Sequence, residues 1–135
     1  MARRRRRLVV GSQRFVWSVD HTHDAADSPD GGRRRTGCRE TVRIWREDAP
    51  GHLAVVFEAG ADAFPHSGAV RRPDGHSLNL NEPGVVRALL DETLARGWQA
   101  AAPGRAQFDG WALFDAVVAR HAGRGDDVGT DSHPV

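Results

Sequence analysis

Apolar and polar side chains alternate with a period of two over the first part of the chain, and a helical period replaces this pattern later. The clearest alternation runs over residues 14–20, where Phe15 and Trp17 point to one side. Residues 40–46 alternate in the same way, and residues 53–57 are almost wholly apolar, as in a central strand. Strands that precede helices predict an α+β fold, an antiparallel sheet of about four to six strands packed on one face by two C-terminal helices.

Turn residues indicate how the strands pair. Residues 11–12 are Gly-Ser, a pair typical of a two-residue hairpin turn. A proline-glycine turn separates residues 40–46 from residues 52–58, and these two segments are predicted to form a hairpin. Residues 69–71 and 77–80 flank a Pro-Asp-Gly turn and predict a second hairpin.

Two helices are expected after these strands. The first has Pro83 in its first turn and ends at Gly97, with Trp98 placed to fold back over the last turn. The second begins at Asp109, a favourable N-cap residue, and ends at Gly123.

The 135 residues predict a single α+β domain over residues 8–123. Residues 1–7 are interpreted as a basic disordered N-terminus, residues 21–37 as a mobile loop, and residues 124–135 as a disordered tail.

The composition argues against several protein classes. No apolar run is long enough for a transmembrane helix, and the three apolar residues after the first arginines are too few for a secretory signal. The single cysteine, Cys38, cannot form an intrachain disulfide, and nothing around it resembles a catalytic cysteine motif. A cytoplasmic protein with no membrane contact and no cofactor is therefore expected.

Charge is distributed unevenly along the chain. Residues 1–47 hold 12 arginines against 6 acids, a net charge of +6, whereas residues 48–135 hold 7 against 12, a net charge of −5. All 19 basic residues are arginine, which suggests a GC-rich genome and weakens a functional interpretation of any one arginine.

Two runs of arginine are candidate phosphate ligands, which makes nucleic-acid binding one alternative function. The alternative interpretation is solvated charge, because no aromatic residue within either run offers a stacking platform. The runs consist of Arg3, Arg4, Arg5, Arg6 and Arg7, and of Arg33, Arg34 and Arg35.

Histidines at the end of a strand suggest a second alternative, a metal-dependent hydrolase. His21 and His23 are separated by one residue, and Asp20 or Asp24 could add an oxygen ligand. The segment is similar to the first ligand pair of amidohydrolases and, more faintly, of metallo-β-lactamases. The chain is too short for the amidohydrolase barrel, and residues 25–26 are alanines where the second family has aspartate and histidine. Candidates for a third ligand are His52, His66 and His76.

Trp45 is the strongest candidate for an interaction residue. It points away from Val42 and Ile44, toward the sheet face that the helices are expected to leave uncovered, and Arg43 flanks it. Tryptophan beside arginine is typical of a binding hot spot, although the loop over residues 21–37 could also cover Trp45. The leading hypothesis is a non-enzymatic protein, without catalytic residues, that acts through contact with a protein partner or as a homo-oligomer through an open sheet edge.

The overall pattern is similar to small uncharacterised bacterial α+β proteins in which a short antiparallel sheet precedes a proline-initiated helix that ends in Gly-Trp. This resemblance implies a fold and assigns no catalytic residue. The segments that carry it are Phe15-Val16-Trp17, Pro83-Gly84-Val85-Val86-Arg87 and Leu94-Ala95-Arg96-Gly97-Trp98.

Overall fold

A computed structural model describes residues 5–27, 33–58, 64–66 and 68–125, with side chains at all of these except 23–27, 33–38, 64–66 and 124–125. The elements in chain order are β1 (Arg6–Val10), β2 (Gln13–Asp27), β3 (Arg33–Arg46), β4 (His52–Glu58), β5 (Phe64–His66), β6 (Ala69–Arg71), β7 (Ser77–Asn79), α1 (Pro83–Ala95), β8 (Arg105–Asp109) and α2 (Gly110–Gly125).

Five strands form the main sheet, in the order β1-β2-β3-β4-β8. The first four are antiparallel neighbours, and β8 pairs in parallel with β4. The predicted hairpin of residues 40–46 with residues 52–58 is confirmed, with Glu40 opposite Phe57 and Trp45 opposite His52. The α+β fold class is therefore confirmed, although the sheet is mixed rather than purely antiparallel.

Short turns that contain glycine join neighbouring strands, as the sequence predicts. The β1–β2 connection has two residues, and Gly11 adopts a φ of 62°, which glycine reaches without a steric penalty. The hairpin predicted from residues 69–71 and 77–80 is also confirmed, as β6 paired with β7. With β5 these strands make a separate three-stranded sheet.

Both helices pack on one face of the main sheet. The ring of Phe57, on β4, meets Trp111 of α2 edge-on at a centroid distance of 5.3 Å. Gly110, at the start of α2, lies so close to this ring that an added Cβ would come within 2.5 Å of it. Phe15 and Trp17 of β2 are buried in the same core cluster as the apolar side of both helices. This is the arrangement that the alternation predicted.

The helix ends follow the predicted capping chemistry. Gly97 has a φ of 106°, and the backbone N–H of Trp98 donates to the carbonyl of Thr93 at 2.9 Å, so Trp98 folds back and is buried. Asp109 caps α2, because its Oδ1 accepts from the backbone N–H of Trp111 at 3.1 Å. The helix continues to Gly125 rather than ending at residue 123.

The prediction of a loop over residues 21–37 is wrong for the residues that are described. Residues 21–27 and 33–37 extend β2 and β3 into a two-stranded ribbon, with a bulge between Thr22 and Asp24. Backbone pairing does not require apolar periodicity, and the register places Asp27 opposite Arg33. The Ser-Pro-Asp-Gly turn that links the two segments lies outside the described residues.

Two further expectations differ from the structure. The first strand begins inside the arginine run, at Arg6, so the disordered terminus predicted over residues 1–7 is wrong from there onward. The segment before α2, which the sequence predicts to be a linker, contains the strand β8. Over the described part of the chain, neither helix has the length and apolar character needed to cross a membrane.

Candidate functional site on the open face of the sheet

The two faces of the main sheet differ because side chains alternate along each strand. The face that carries Trp17, Ile44 and Leu53 is buried in a core cluster to which both helices and the strands β6 and β7 contribute. The opposite face carries neither helix, and we call it the open face, although its smaller residues Ser18, Thr41, Ala54 and Val56 are buried. One row of neighbouring positions crosses all five of its strands: Arg7, Val16, Trp45, His52 and Arg105.

An aromatic platform lies in the middle of this row. The indole of Trp45 stacks on the imidazole of His52, with a centroid distance of 5.8 Å and an interplanar angle of 30°. The guanidinium carbon of Arg5 lies 5.2 Å from the centroid of the Trp45 ring. Arg5 is exposed, and Trp45 and His52 are partly exposed. The guanidinium of Arg5 and the rings of Trp45 and His52 thus lie together at one surface.

Arginines flank the platform on both sides. Arg7 lies on β1 at one end of the row, and Arg105 lies on β8 at the other. Four strand spacings separate them, a span of about 19 Å. Both side chains belong to exposed residues. Among the residues with described side chains, the acids on the strands of this face lie farther along the sheet and are Asp20, Glu58 and Asp109.

Burial and neighbouring arginines both act on the titration of His52. Burial is the largest cause that lowers the pKa of His52 below its ordinary value, followed by repulsion from Arg105 and then from Arg43. A lowered pKa favours the neutral ring at physiological pH. His52 therefore contributes a flat, uncharged stacking surface between cations.

Arg43, predicted as an interaction residue together with Trp45, is engaged within the protein. Its guanidinium forms an ion pair with Asp20 on the neighbouring strand, and the two side chains are only 22% and 12% exposed. The pair keeps Arg43 in place and partly offsets its charge. Trp45 lies two residues further along the same strand, on the same face, and is partly exposed.

The first arginine run divides between the two faces of the sheet. Arg5 and Arg7 lie on the open side, whereas Arg6 packs over the Trp17 ring at 5.3 Å and donates to the carbonyl of Asn81 at 2.8 Å. Arg3 and Arg4 are outside the described residues. Of the second run, Arg33, Arg34 and Arg35 lie on β3, and their side chains are not described.

The histidine segment contains one defined pair. Nδ1 of His21 lies 2.5 Å from Oε1 of Glu40, a carboxylate that is fully buried on the helix side of the sheet. His52 lies on the open face, so it cannot join His21 around one ion. Among the described residues, no group of three His, Cys, Asp or Glu side chains could hold a metal. The side chains of His23, Asp24 and His66 lie outside this set, and the metal hypothesis stays a prediction.

The contact of Arg5 with Trp45 was missed because residues 5 and 45 are on different hairpins. A signal exists in the sequence: the register of the first hairpin places Arg7 beside Val16, and that of the next pair places Val16 beside Trp45. The two registers taken together place the first arginine run near Trp45. Comparison with protein-family models, curated proteins and solved structures finds no match to this chain.

Proposed function

We propose that the protein binds single-stranded nucleic acid on the open face of its sheet. The observation that carries this proposal is the stack of Arg5, Trp45 and His52. Unpaired bases are commonly recognised by aromatic and guanidinium planes displayed on a sheet surface. A base that takes the place of Arg5 on Trp45, or that lies on the outer side of Arg5 or His52, would use a stack that the protein has already begun.

The charges of the surface support a polyanionic ligand. Arg7 and Arg105 flank the platform about 19 Å apart, which suits a strand that crosses the sheet with its phosphates near these guanidinium groups. Repulsion from Arg105 and Arg43 already lowers the pKa of His52, so a bound phosphate would relieve an existing excess of positive charge. The overall charge of the chain, +1, does not reveal this local concentration.

The leading hypothesis from the sequence, contact with a protein partner through Arg43 and Trp45, uses the same surface. Two features favour nucleic acid over a protein partner. Arg43 is paired with Asp20, so it is less available to a partner. The exposed groups around Trp45 are arginines and a histidine rather than a broad apolar patch.

Substitution of Trp45 tests the stacking role. Binding of short labelled single-stranded DNA and RNA is measured by fluorescence anisotropy at low salt. We expect Trp45→Ala to weaken binding about 5- to 150-fold, because base stacking contributes about 1–3 kcal/mol per base. Trp45→Phe keeps an aromatic plane and should retain most of the affinity.

Salt dependence tests the phosphate contacts. Arg7→Gln should reduce the slope of log affinity against log salt concentration by about 0.7, the contribution of one phosphate contact on a single strand. Arg71→Gln is the matched control, an exposed arginine on β6 in the smaller sheet, and should leave the slope unchanged. The proposal would be contradicted if neither DNA nor RNA binds at low salt. It would also be contradicted if wild type and Trp45→Ala bind with equal affinity.

A further inference from the structure

The strand β8 ends the main sheet with one side unpaired by any described strand. Its inner side bonds to β4, where the carbonyl of Gly104 accepts from the backbone N–H of His52 at 3.0 Å. Backbone groups alternate in direction along a strand, so residues 105, 107 and 109 direct their N–H and C=O groups outward. Unpaired outward groups are a template for another strand.

The sequence of β8 is complementary to itself in antiparallel register. Pairing two copies about Gln107 places Arg105 opposite Asp109 of the second copy, and Asp109 opposite its Arg105. Ala106 then faces Phe108 of the second copy, a small residue against a large one. In this register Gln107 faces Gln107 of the second copy. The outward N–H and C=O groups of residues 105, 107 and 109 therefore meet those of the second copy and form hydrogen bonds with them.

The space beside β8 suits the same arrangement. A groove of about 470 Å³ runs along this strand and is lined by residues 96–99 and 102–108. Phe108 is partly exposed on its wall, and Ala106 leaves room beside it. The ring of Phe108 from a second copy, opposite Ala106, would lie along this groove.

We propose that the protein forms a symmetric dimer in which the β8 strands of two copies pair antiparallel about Gln107. The two sheets become one sheet of ten strands, and the symmetry axis is perpendicular to it. Both open faces consequently lie on the same side. Arg105, which now donates to the side chain of Gln107 at 3.0 Å, gains Asp109 of the second copy as a partner. The dimer does not require the nucleic-acid ligand, but it places Asp109 beside Arg105, so Arg7 is the phosphate contact that the dimer leaves unchanged.

Removal of one outward N–H group tests the dimer. Gln107→Pro deletes a donor that points away from β4, so the bonds within the sheet are retained. The matched control is Val9→Pro on β1, the other edge strand, where Val10 pairs with Gln13 and Val9 therefore points outward. Sedimentation velocity over a range of concentrations should show a dimer for wild type and Val9→Pro. Gln107→Pro should dissociate at a concentration roughly tenfold higher or more, because two intermolecular hydrogen bonds are lost.

Cross-linking provides a second readout that does not depend on a proline variant. In a Cys38→Ser background, Gln107→Cys should oxidise readily to a disulfide dimer, because a hydrogen-bonded pair places its Cα atoms about 5.5 Å apart. Arg105→Cys should not, since its equivalent lies far along the paired strand. A monomer at every concentration, equal behaviour of the two proline variants, or equal cross-linking of both cysteines would overturn the proposal.

Discussion

Trp17 and Trp45 lie on adjacent strands of one sheet, on opposite faces, and an arginine of the first run packs over each ring, but the two rings differ in burial. Trp17 is buried beneath the helices, with 1% of its surface exposed. Trp45 keeps part of its ring exposed between Arg5 and His52, with no helix above it. The same residue type therefore serves as core on one face and as a binding platform on the other.

The difference teaches that alternation assigns a side chain to a face but does not assign a role to that face. The role depends on what the rest of the chain places above it. On the helix side, α2 brings Trp111 and Phe114 against β4. On the open side, Arg5 lies against the ring of Trp45, which stays partly exposed.

The largest expected contrast is in stability. Trp17→Ala should lower the free energy of unfolding by about 3–5 kcal/mol, because it removes a fully buried aromatic side chain. Trp45→Ala should cost about 1 kcal/mol, the scale of an exposed cation–π contact. Urea unfolding of both variants measures the gap. Similar losses of unfolding free energy in the two variants would contradict the difference in burial between the two faces.

Two glycines of α2 probe the closeness of the helix to the sheet. Gly110→Ala should destabilise the protein by about 1–3 kcal/mol, since the new methyl group overlaps the Phe57 ring. Gly123→Ala is the control, because no atom lies within 4 Å of its added Cβ, and it should stabilise α2 by roughly 0.5–1 kcal/mol. Thermal melting of both variants should give shifts of opposite sign, and a shared sign would contradict the packing.

Acid sensitivity should come partly from Glu92 on the helix side. Hydrogen bonds from Arg96, and then from Arg120, lower the pKa of Glu92. A carboxylate with a lowered pKa in the folded state stabilises the protein above its unfolded pKa of about 4.3 and loses this contribution as the pH falls through the folded value. Glu92→Gln should thus reduce stability at neutral pH and flatten its decline in acid.

Urea unfolding at a series of pH values measures this decline. Glu47→Gln, at an exposed carboxylate, is the control and should keep the wild-type profile. A Glu92→Gln profile as steep as that of wild type would contradict the role of the two arginines.

A smaller effect should appear on the open face. Arg105→Gln removes one of the cations that repel the protonated imidazole of His52, and the pKa of His52 should rise toward its ordinary value. Burial, the main cause of the lowered pKa, remains, so the rise should be partial. An NMR titration of the imidazole measures it, and Arg87→Gln on α1 is the control. An unchanged titration in Arg105→Gln would remove the evidence for positive charge at this platform.

Local patterns predicted much of the fold. The alternation of β2 identified the buried face, a proline-glycine turn located the β3–β4 hairpin, and Gly97 marked the end of α1 with Trp98 folded over it. Each of these features depends on residues close together in the chain. Their chemistry is therefore visible in a short window of sequence.

The features that were missed depend on distant partners. The strand β8 has only two apolar residues, Ala106 and Phe108, and its parallel partner β4 is about 50 residues earlier in the chain. The platform of Arg5 and Trp45 needs two hairpin registers to be combined. The ribbon of residues 21–27 and 33–37 is held by backbone pairing, which leaves little trace in side-chain pattern.

The most direct test of the central claim is an NMR titration of the four tryptophan indole N–H signals with a short single-stranded oligonucleotide. Substitution of each tryptophan in turn assigns the signals. The account predicts that the Trp45 signal shifts on stacking with a base, whereas the signals of the buried Trp17 and Trp98 stay in place. A Trp45 signal that does not move when the oligonucleotide is bound would contradict the account.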